Sequence, residues 1–215
     1  MKVLSLEHGH SPRPMTAADG AAPPVILVDE HDLPVGLAEK LAAHETGALH
    51  RAVSVFAFDE DGALLVQRRA EGKYHSGGLW SNSACSHPRE GEPPVAAAAR
   101  CLREEMGVDG HSFEAAGWFI YRARVGPTLV EHELDHVFVA RVRTVPAPNP
   151  AEVSAWRAVP LEVVETEVAA DPSRFTAWFP LAIAHLRGQP ALGRVTVGGR
   201  GAGTGAAASA ARGDG

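Results

Sequence analysis

A helix with clear start and stop signals lies among strand-like stretches, and this arrangement leaves few folds open to the chain. Pro93 and Pro94 suit the first turn of the helix, where a missing backbone N–H costs nothing, and Gly107 can end it. Its apolar residues recur on one side: Val95, Leu102 and Met106. We therefore expect this helix to cover one face of a sheet.

Strand-like stretches precede and follow the helix. They are residues 25–28, 52–58, 63–67, 113–122, 130–142 and 153–159. The turn residues 59–62, which end in Gly62, predict a hairpin between the second and third stretches. Shorter helices are predicted at residues 37–44, near Leu161 and at residues 175–186, and a polar loop at residues 68–88. The mixture predicts a sheet covered by helices on its faces.

One folded domain accounts for most of the chain. With 215 residues, of which 45% are hydrophobic, the chain can bury one core. We place the domain at residues 24–188. Residues 1–23 show no period, and the Gly/Ala-rich tail at residues 189–215 has few bulky apolar side chains, so both are expected to be disordered.

The charge balance argues against binding to nucleic acid or to a membrane surface. Lys plus Arg number 20 and Asp plus Glu number 26, a net charge of -6, so an anionic ligand must be held by local cations. No apolar run approaches the roughly 20 residues that cross a bilayer, and the first residues lack a secretion signal. A cytoplasmic protein is expected, in which Cys85 and Cys101 are buried, reactive or metal-bound thiols.

An acidic segment at residues 100–108 is a candidate magnesium site, because Mg²⁺ prefers a few carboxylates together with water and phosphate oxygens. The alternative is a solvated helix face on which Arg100 and Glu104 form a weak i,i+4 pair. The spacing alone does not decide between the two.

Three other segments carry candidate metal ligands or proton carriers. Cys85 and His87 lie two residues apart, so their side chains share a side if the segment is extended, and Glu131 and Glu133 share one face of a predicted strand. The five residues that can bind one divalent ion are His44, His50, His87, Glu131 and Glu133. Such mixed nitrogen and oxygen ligands suit zinc, manganese or iron. Taken singly, each also fits a surface histidine, a small buried cysteine or a solvent-facing edge strand.

The segment at residues 100–108 resembles a degenerate Nudix box. Ser86 stands where the leading Gly of that motif belongs, and Cys101 replaces a Glu that Nudix hydrolases use. Diphosphate hydrolysis is therefore in doubt, while one Mg²⁺ on Glu105 remains compatible with the residues present.

Three ordered motifs closely resemble the type I isopentenyl-diphosphate isomerases, which have a Nudix fold. They are Ala43-His-Glu-Thr-Gly-Ala-Leu-His-Arg-Ala, Leu79-Trp-Ser-Asn-Ser-Ala-Cys-Ser-His-Pro and Val130-Glu-His-Glu. The resemblance runs from about residue 25 to about residue 186. It implies an α/β (α+β) fold, with a mixed β-sheet sandwiched between helices in a single domain. It also implies conversion of isopentenyl diphosphate to dimethylallyl diphosphate through a carbocation.

The resemblance assigns a role to each matching residue. Cys85 and Glu133, with Tyr121, would carry protons, and the ring of Trp178 would stabilise the carbocation. The diphosphate would be bound by Lys40, Arg69 and Lys73, with assistance from Arg100. Mg²⁺ on Glu105, with the carbonyl of Cys85, would bridge phosphate oxygens, and Mn²⁺ or Zn²⁺ would occupy the histidine and glutamate site.

Two other functions are compatible with parts of the sequence. A Nudix hydrolase of a small diphosphate fits the acidic segment but leaves Cys85 and the histidines unexplained. A non-catalytic domain would use the same histidines as a structural metal site. The small diphosphate is the only partner that the sequence predicts, and the chain is expected to be a monomer or weak dimer.

Overall fold

The fold is that of a computed structural model, which describes residues 4–7, 23–110 and 112–196. The strands are β1 (Leu4–Glu7), β2 (Val25–Val28), β3 (Pro34–Ala38), β4 (His50–Phe58), β5 (Leu64–Arg69), β6 (Trp80–Ser81), β7 (Ala84–Ser86), β8 (Ser112–Arg124), β9 (Val130–Arg141) and β10 (Val153–Val159). The helices are α1 (Lys40–Thr46), α2 (Pro94–Met106), α3 (Leu161–Ala170), α4 (Phe179–Arg187) and α5 (Pro190–Thr196), and a 3₁₀ turn lies at Pro172–Arg174.

Strand β4 is the centre of a mixed sheet. It runs parallel to β9 and antiparallel to β7, in a sheet whose main order is β1-β8-β9-β4-β2-β3. Strand β5 connects β4 to β6 and β10. The hairpin predicted between residues 52–58 and 63–67 corresponds to β4 and β5.

Helices cover both faces of this sheet, because successive side chains of β4 point to opposite sides. Val53 and Val55 pack with the apolar side of α2, whereas Phe56 and Phe58 pack with α3 and α4. The predicted fold class, a mixed sheet sandwiched between helices, is confirmed.

Helix α2 begins and ends close to the predicted bounds. Gly107 ends it with φ of 66°, and its N–H donates to the carbonyl of Arg103. The buried side was predicted incorrectly at Val95, which is exposed, because the side that contacts the sheet begins at Ala97 and Ala98.

Two of the shorter helices start later than predicted because neighbouring strands hold the first residues. Leu37 and Ala38 pair with β2, so α1 begins at Lys40. The residues before Phe179 are held by β6, since the N–H of Thr176 donates to the carbonyl of Trp80. The predicted loop at residues 68–88 likewise contains β6 and β7.

Regular structure also extends into both segments that were expected to be disordered. Strand β1 pairs in parallel with β8, and α5 places Ala191 and Leu192 against the core formed with α3 and α4. Composition does not reveal backbone pairing or the packing of two single residues. The rest of those segments lies outside the described residues. Every helix in the described part of the chain is too short or too polar to cross a membrane.

Candidate active site

Three adjacent strands place candidate site residues in a row on the sheet face that also carries α4. His50 of β4 is in register with Glu133 of β9, and Glu133 is in register with Tyr121 of β8. Because strand side chains alternate, Glu131 shares the face of Glu133. The sheet therefore joins residues that are far apart in sequence.

Four residues form a compact group of potential metal ligands: His44, His50, His87 and Glu133. One donor atom from each lies within 4.8 Å of the others. His44 Nδ1 lies 2.6 Å from the carbonyl of Lys40, and His50 Nδ1 lies 2.8 Å from that of Ala48. Because each Nδ1–H donates to a carbonyl, the Nε2 atom of each ring is left as the metal-binding atom.

The buried Nε2 of His50 shows that this group suits a cation. It lies 3.5 Å from Glu133 Oε1, too far for a good hydrogen bond, and has no other partner among the described residues. His87 Nε2 lies 3.0 Å from the same oxygen. A buried nitrogen without a partner is costly, and a divalent ion among three imidazoles and a carboxylate would satisfy it.

Glu131, the fifth predicted ligand, lies beside this group rather than within it. It forms a second group with His44 and His75, in which the donor atoms are again within 4.8 Å of one another. His75 is a residue that sequence reasoning missed. It is a single histidine in a loop rich in Gly and Ser, and no motif marks it; only the fold brings it to Glu131.

Burial and the histidines shift the pKa values of the two glutamates in opposite directions. Burial raises the pKa of Glu131 well above its usual value, and the charge of Glu133 adds to this effect. Burial also acts to raise the pKa of Glu133, but contacts with His50 and His87 outweigh it and hold that pKa well below its usual value. Burial lowers the pKa of His87 to about 3, so its imidazole is neutral and able to bind a metal.

Tyr121 connects the two glutamates. Its hydroxyl lies 2.6 Å from Glu133 Oε2 and 3.0 Å from Glu131 Oε2. Burial, followed by the neighbouring carboxylates, raises the pKa of Tyr121 well above its usual value. The phenol therefore stays protonated and can pass a proton to or from Glu133.

Cys85 lies on β7, where it is in register with Ser54 of β4. Burial raises the pKa of its thiol well above the usual value, and the carboxylate of Glu105 adds to the shift. Arg69 Nη1 is 3.8 Å from the sulfur. The other cysteine, Cys101, is buried on α2, where its thiol donates to the carbonyl of Ala98.

One apolar cluster adjoins both Cys85 and Tyr121. Trp178 belongs to this cluster, and its indole N–H donates to Asn82 Oδ1 at 3.1 Å. The guanidinium of Arg69 lies 5.3 Å from the centre of the Trp178 ring. Cys85 and Tyr121 therefore adjoin the same apolar region, and Tyr121 is hydrogen-bonded to Glu133. Arg69 lies beside that region.

Three of the four predicted diphosphate-binding residues lie close enough for their charges to interact. Burial lowers the pKa of Lys40, and the charges of Arg69 and Lys73 lower it further, as expected where cations converge. Lys73 forms an ion pair with Glu152. An anion bound between the three would relieve their mutual repulsion.

Arg100, the fourth of these residues, has other partners. It donates to Glu92 at 2.8 Å, to Glu104 at 3.0 Å and to the carbonyl of His87 at 3.1 Å. Its contact with the site is thus through the backbone of a candidate metal ligand.

Glu105 is buried beside Cys85. One of its oxygens accepts the backbone N–H of Cys85 at 3.2 Å, and the other accepts the side-chain amide of Gln67 at 2.6 Å. Burial raises the pKa of Glu105 to about 7, although the hydrogen bond from Gln67 opposes the shift. The candidate magnesium ligand is therefore hydrogen-bonded to the strand that carries the thiol.

Comparisons of the sequence with known proteins give one consistent result. Residues 48–179 match the NUDIX domain family. The chain is 53% identical over 154 residues to an isopentenyl-diphosphate Delta-isomerase of Aromatoleum aromaticum, which covers 72% of this chain and 81% of that protein. It is 46% identical over 170 residues to an enzyme of the same name from Burkholderia multivorans, covering 79% and 96% of the two chains.

Solved structures share the fold at low sequence identity. A Deinococcus radiodurans protein superimposes with a TM-score of 0.63 at 23% identity, over 76% of this chain and 98% of that one. A MutT protein of Methanosarcina mazei gives a TM-score of 0.54 at 19% identity, over 65% and 93% of the chains. At these identities the likeness concerns the fold alone.

Proposed function

Because this chain belongs to the isopentenyl-diphosphate Delta-isomerase family and interconverts isopentenyl and dimethylallyl diphosphate, we propose that Cys85 and Glu133 carry the protons that the reaction moves. The observation that supports this pair is their shared setting. Cys85 and Tyr121 adjoin one apolar cluster, and Tyr121 is hydrogen-bonded to Glu133 at 2.6 Å.

The reaction needs two proton carriers at different positions around the substrate. An unactivated alkene is a very weak base, so adding a proton to one carbon produces a carbocation, and another proton must leave from a neighbouring carbon. Cys85 on β7 and Glu133 on β9 would serve as this pair, one donating and the other accepting, with the roles exchanged in the reverse reaction. Tyr121 would pass the proton to or from Glu133.

Trp178 would protect the cation formed between the two transfers. An aromatic ring attracts a cation by about 2 kcal/mol or more when water is excluded, and the ring of Trp178 is 3% exposed. Its N–H bond to Asn82 keeps the indole in one orientation. Such an attraction acts only on the charged species, so it lowers the barrier without tightening substrate binding.

His44, His50, His87 and Glu133, with Glu131 beside them, would hold one divalent ion, for which we propose Mn²⁺ or Zn²⁺. When bound, the ion would supply positive charge that fixes the carboxylate of Glu133 and tunes its acidity. The chain's own contribution is to hold the Nε2 atoms of His50 and His87 at 3.5 and 3.0 Å from Glu133 Oε1, and to fix the His44 ring through Nδ1.

Lys40, Arg69 and Lys73 would bind the diphosphate, and Lys73 would exchange its partner Glu152 for phosphate oxygens. Glu105, with the carbonyl of Cys85, would hold Mg²⁺ next to those oxygens. For Arg100 we propose support of the His87 backbone, since its donors are directed at Glu92, Glu104 and that carbonyl.

Free thiols are kept reduced in the cytosol, and both cysteines are free. We therefore propose that the enzyme works in the cytoplasm. The proposed ligand is the small isoprenoid diphosphate.

Proton NMR of the purified protein with isopentenyl diphosphate, Mg²⁺ and deuterated water tests the reaction. We expect dimethylallyl diphosphate to appear with deuterium in its carbon skeleton, because one proton is supplied by groups that exchange with solvent. Release of phosphate without a change in the alkene signals would instead indicate a hydrolase. The Cys85→Ala and Glu133→Gln variants in the same assay test the assignment of the proton carriers.

A further inference from the structure

His75 lies in the loop between β5 and β6 and is 8% exposed. Its Nε2 is 3.3 Å from Glu131 Oε1, and its ring centre is 5.8 Å from that of His44 and 6.1 Å from that of Trp178. It therefore lies between the candidate metal centre and the aromatic ring proposed to face the substrate.

The two contacts of the ring are compatible with a proton on Nε2. His75 Nδ1 is 3.2 Å from the hydroxyl of Ser76, which can donate to it. Nε2 then carries the proton, and it faces Glu131 Oε1. At 3.3 Å this is a close contact that directs a proton on Nε2 towards Glu131.

Glu131 needs such a donor to contribute to a metal site. It does not belong to the compact group of His44, His50, His87 and Glu133, and it contacts that group through His44. Its Oε2 lies 3.0 Å from the Tyr121 hydroxyl, which shares its single proton with Glu133 at 2.6 Å, and Oε1 is left for His75. A buried carboxylate held at both oxygens has one orientation, whereas one held at a single oxygen can rotate away.

We propose that His75 is a positioning residue of the metal centre, which holds Glu131 through Nε2–H so that this carboxylate completes the ligand set. The inference rests on the proposed metal site and adds to it a residue outside the three sequence motifs. Partners that orient metal-binding carboxylates commonly affect metal affinity by about 10- to 100-fold.

Metal titration of the metal-free protein, without substrate, tests the inference. His75→Phe keeps a ring next to Trp178 but removes the donor, and we expect the Kd for Mn²⁺, measured by calorimetry, to rise by about 10- to 100-fold. His75→Gln places an amide N–H near the position of Nε2, and we expect affinity within about threefold of the wild type. His75→Asn is the matched control, since its amide is too short to reach Glu131 and should bind as weakly as His75→Phe.

The outcomes distinguish a wrong role for His75 from a wrong metal centre. If His75→Phe or His75→Asn binds Mn²⁺ as the wild type does while His50→Ala does not, the role of His75 is wrong and the metal centre stands. If His75→Gln is as weak as His75→Asn, donation to Glu131 is wrong. If His50→Ala also binds normally, the four-residue centre itself is wrong. Circular dichroism of each variant establishes that the fold is intact.

Discussion

At the scale of single residues, burial decides which groups of the site carry charge. It raises the pKa of Cys85, Glu131 and Tyr121 well above their usual values, and it lowers the pKa of His87 to about 3. These shifts favour the protonated thiol, carboxyl and phenol and the neutral imidazole, whereas the histidine contacts favour the ionised form of Glu133. A proton can therefore leave Cys85 only when the substrate or a neighbour compensates the charge.

Replacing Cys85 tests its role directly. Cys85→Ala deletes a proton carrier but little volume, so we expect kcat to fall by about 10²- to 10⁴-fold with the fold retained. Cys101→Ala is the control, because Cys101 is buried on α2 and donates only to a helix carbonyl. Turnover measured by NMR should remain near wild type in Cys101→Ala; similar turnover in Cys85→Ala would show that another group moves the proton.

Replacing Lys73 tests the diphosphate assignment. Lys73→Met removes a charged hydrogen bond worth about 1.5–3 kcal/mol, so we expect KM to rise roughly 10- to 100-fold, with a smaller change in kcat. Arg68→Met is the matched control, since Arg68 is half-exposed and pairs with Glu71 and the carbonyl of Gly78. Equal KM values in the two variants would remove Lys73 from the binding site.

Sequence motifs predicted most of the candidate site, because those residues occur in three short stretches with recognisable order. The isomerase function that these motifs predicted is confirmed by the comparisons. His75 could not be predicted in this way, because its role depends on a loop fold that brings it 3.3 Å from Glu131. The partners of Arg100 were equally invisible, since Glu92 and the carbonyl of His87 meet it only in three dimensions.

At the scale of elements, the end of α2 controls the position of Glu105. The N–H of Asn149 donates to the carbonyl of Glu105 at 2.9 Å, and that of Ala147 to the carbonyl of Met106 at 3.0 Å. The segment after β9 therefore packs directly against the end of the helix. Gly107 permits this approach, because a Cβ there would overlap the carbonyl oxygen of Ala147.

Gly107→Ala should therefore destabilise the protein more than an ordinary glycine substitution. Gly62 also has positive φ, of 80°, but its Cβ would meet open space, so Gly62→Ala isolates the backbone cost of about 1–2 kcal/mol. For Gly107→Ala we expect a loss of about 3 kcal/mol, measured as the free energy of unfolding in urea. Equal losses in the two variants would mean that the segment at Ala147 moves aside without cost.

Local patterns predicted the elements whose signals lie within their own residues. Helix α2 has proline and glycine at its ends, and β10 begins and ends with a buried valine, so both were found. Strands β6 and β7 have only two and three residues, too few to show a period, and exist because β5 and β4 pair with them. The helix predicted from residue 37 begins only at Lys40, because pairing of the preceding residues with β2 outweighs their local helix preference.

At the scale of the whole molecule, the candidate metal centre connects parts of the chain that are distant in sequence. Its four donors come from α1, β4, the segment after β7, and β9, and are spread from His44 to Glu133. Buried and partly unsatisfied, they destabilise the metal-free fold, as the Nε2 of His50 illustrates. An ion that binds all four stabilises the native state, because the unfolded chain has no such site.

Metal binding should therefore raise the thermal midpoint. With free Mn²⁺ at 100 times Kd the gain is about 2.7 kcal/mol, and for a domain of this size about 2–4 °C accompanies each kcal/mol, so we expect a rise of about 5–10 °C. Calorimetry with and without the ion measures this shift, and a chelator should reverse it.

Two histidine variants test whether the stabilising ion binds at the four-residue group. His50→Ala should abolish the shift, since it removes one of the four donors. His132→Ala should keep it even if the midpoint itself falls, because His132 points to the opposite side of β9 and contacts the carbonyl of Gly47. A shift that survives in His50→Ala would place the stabilising ion elsewhere, and Glu133 would then have to move its proton without a metal beside it.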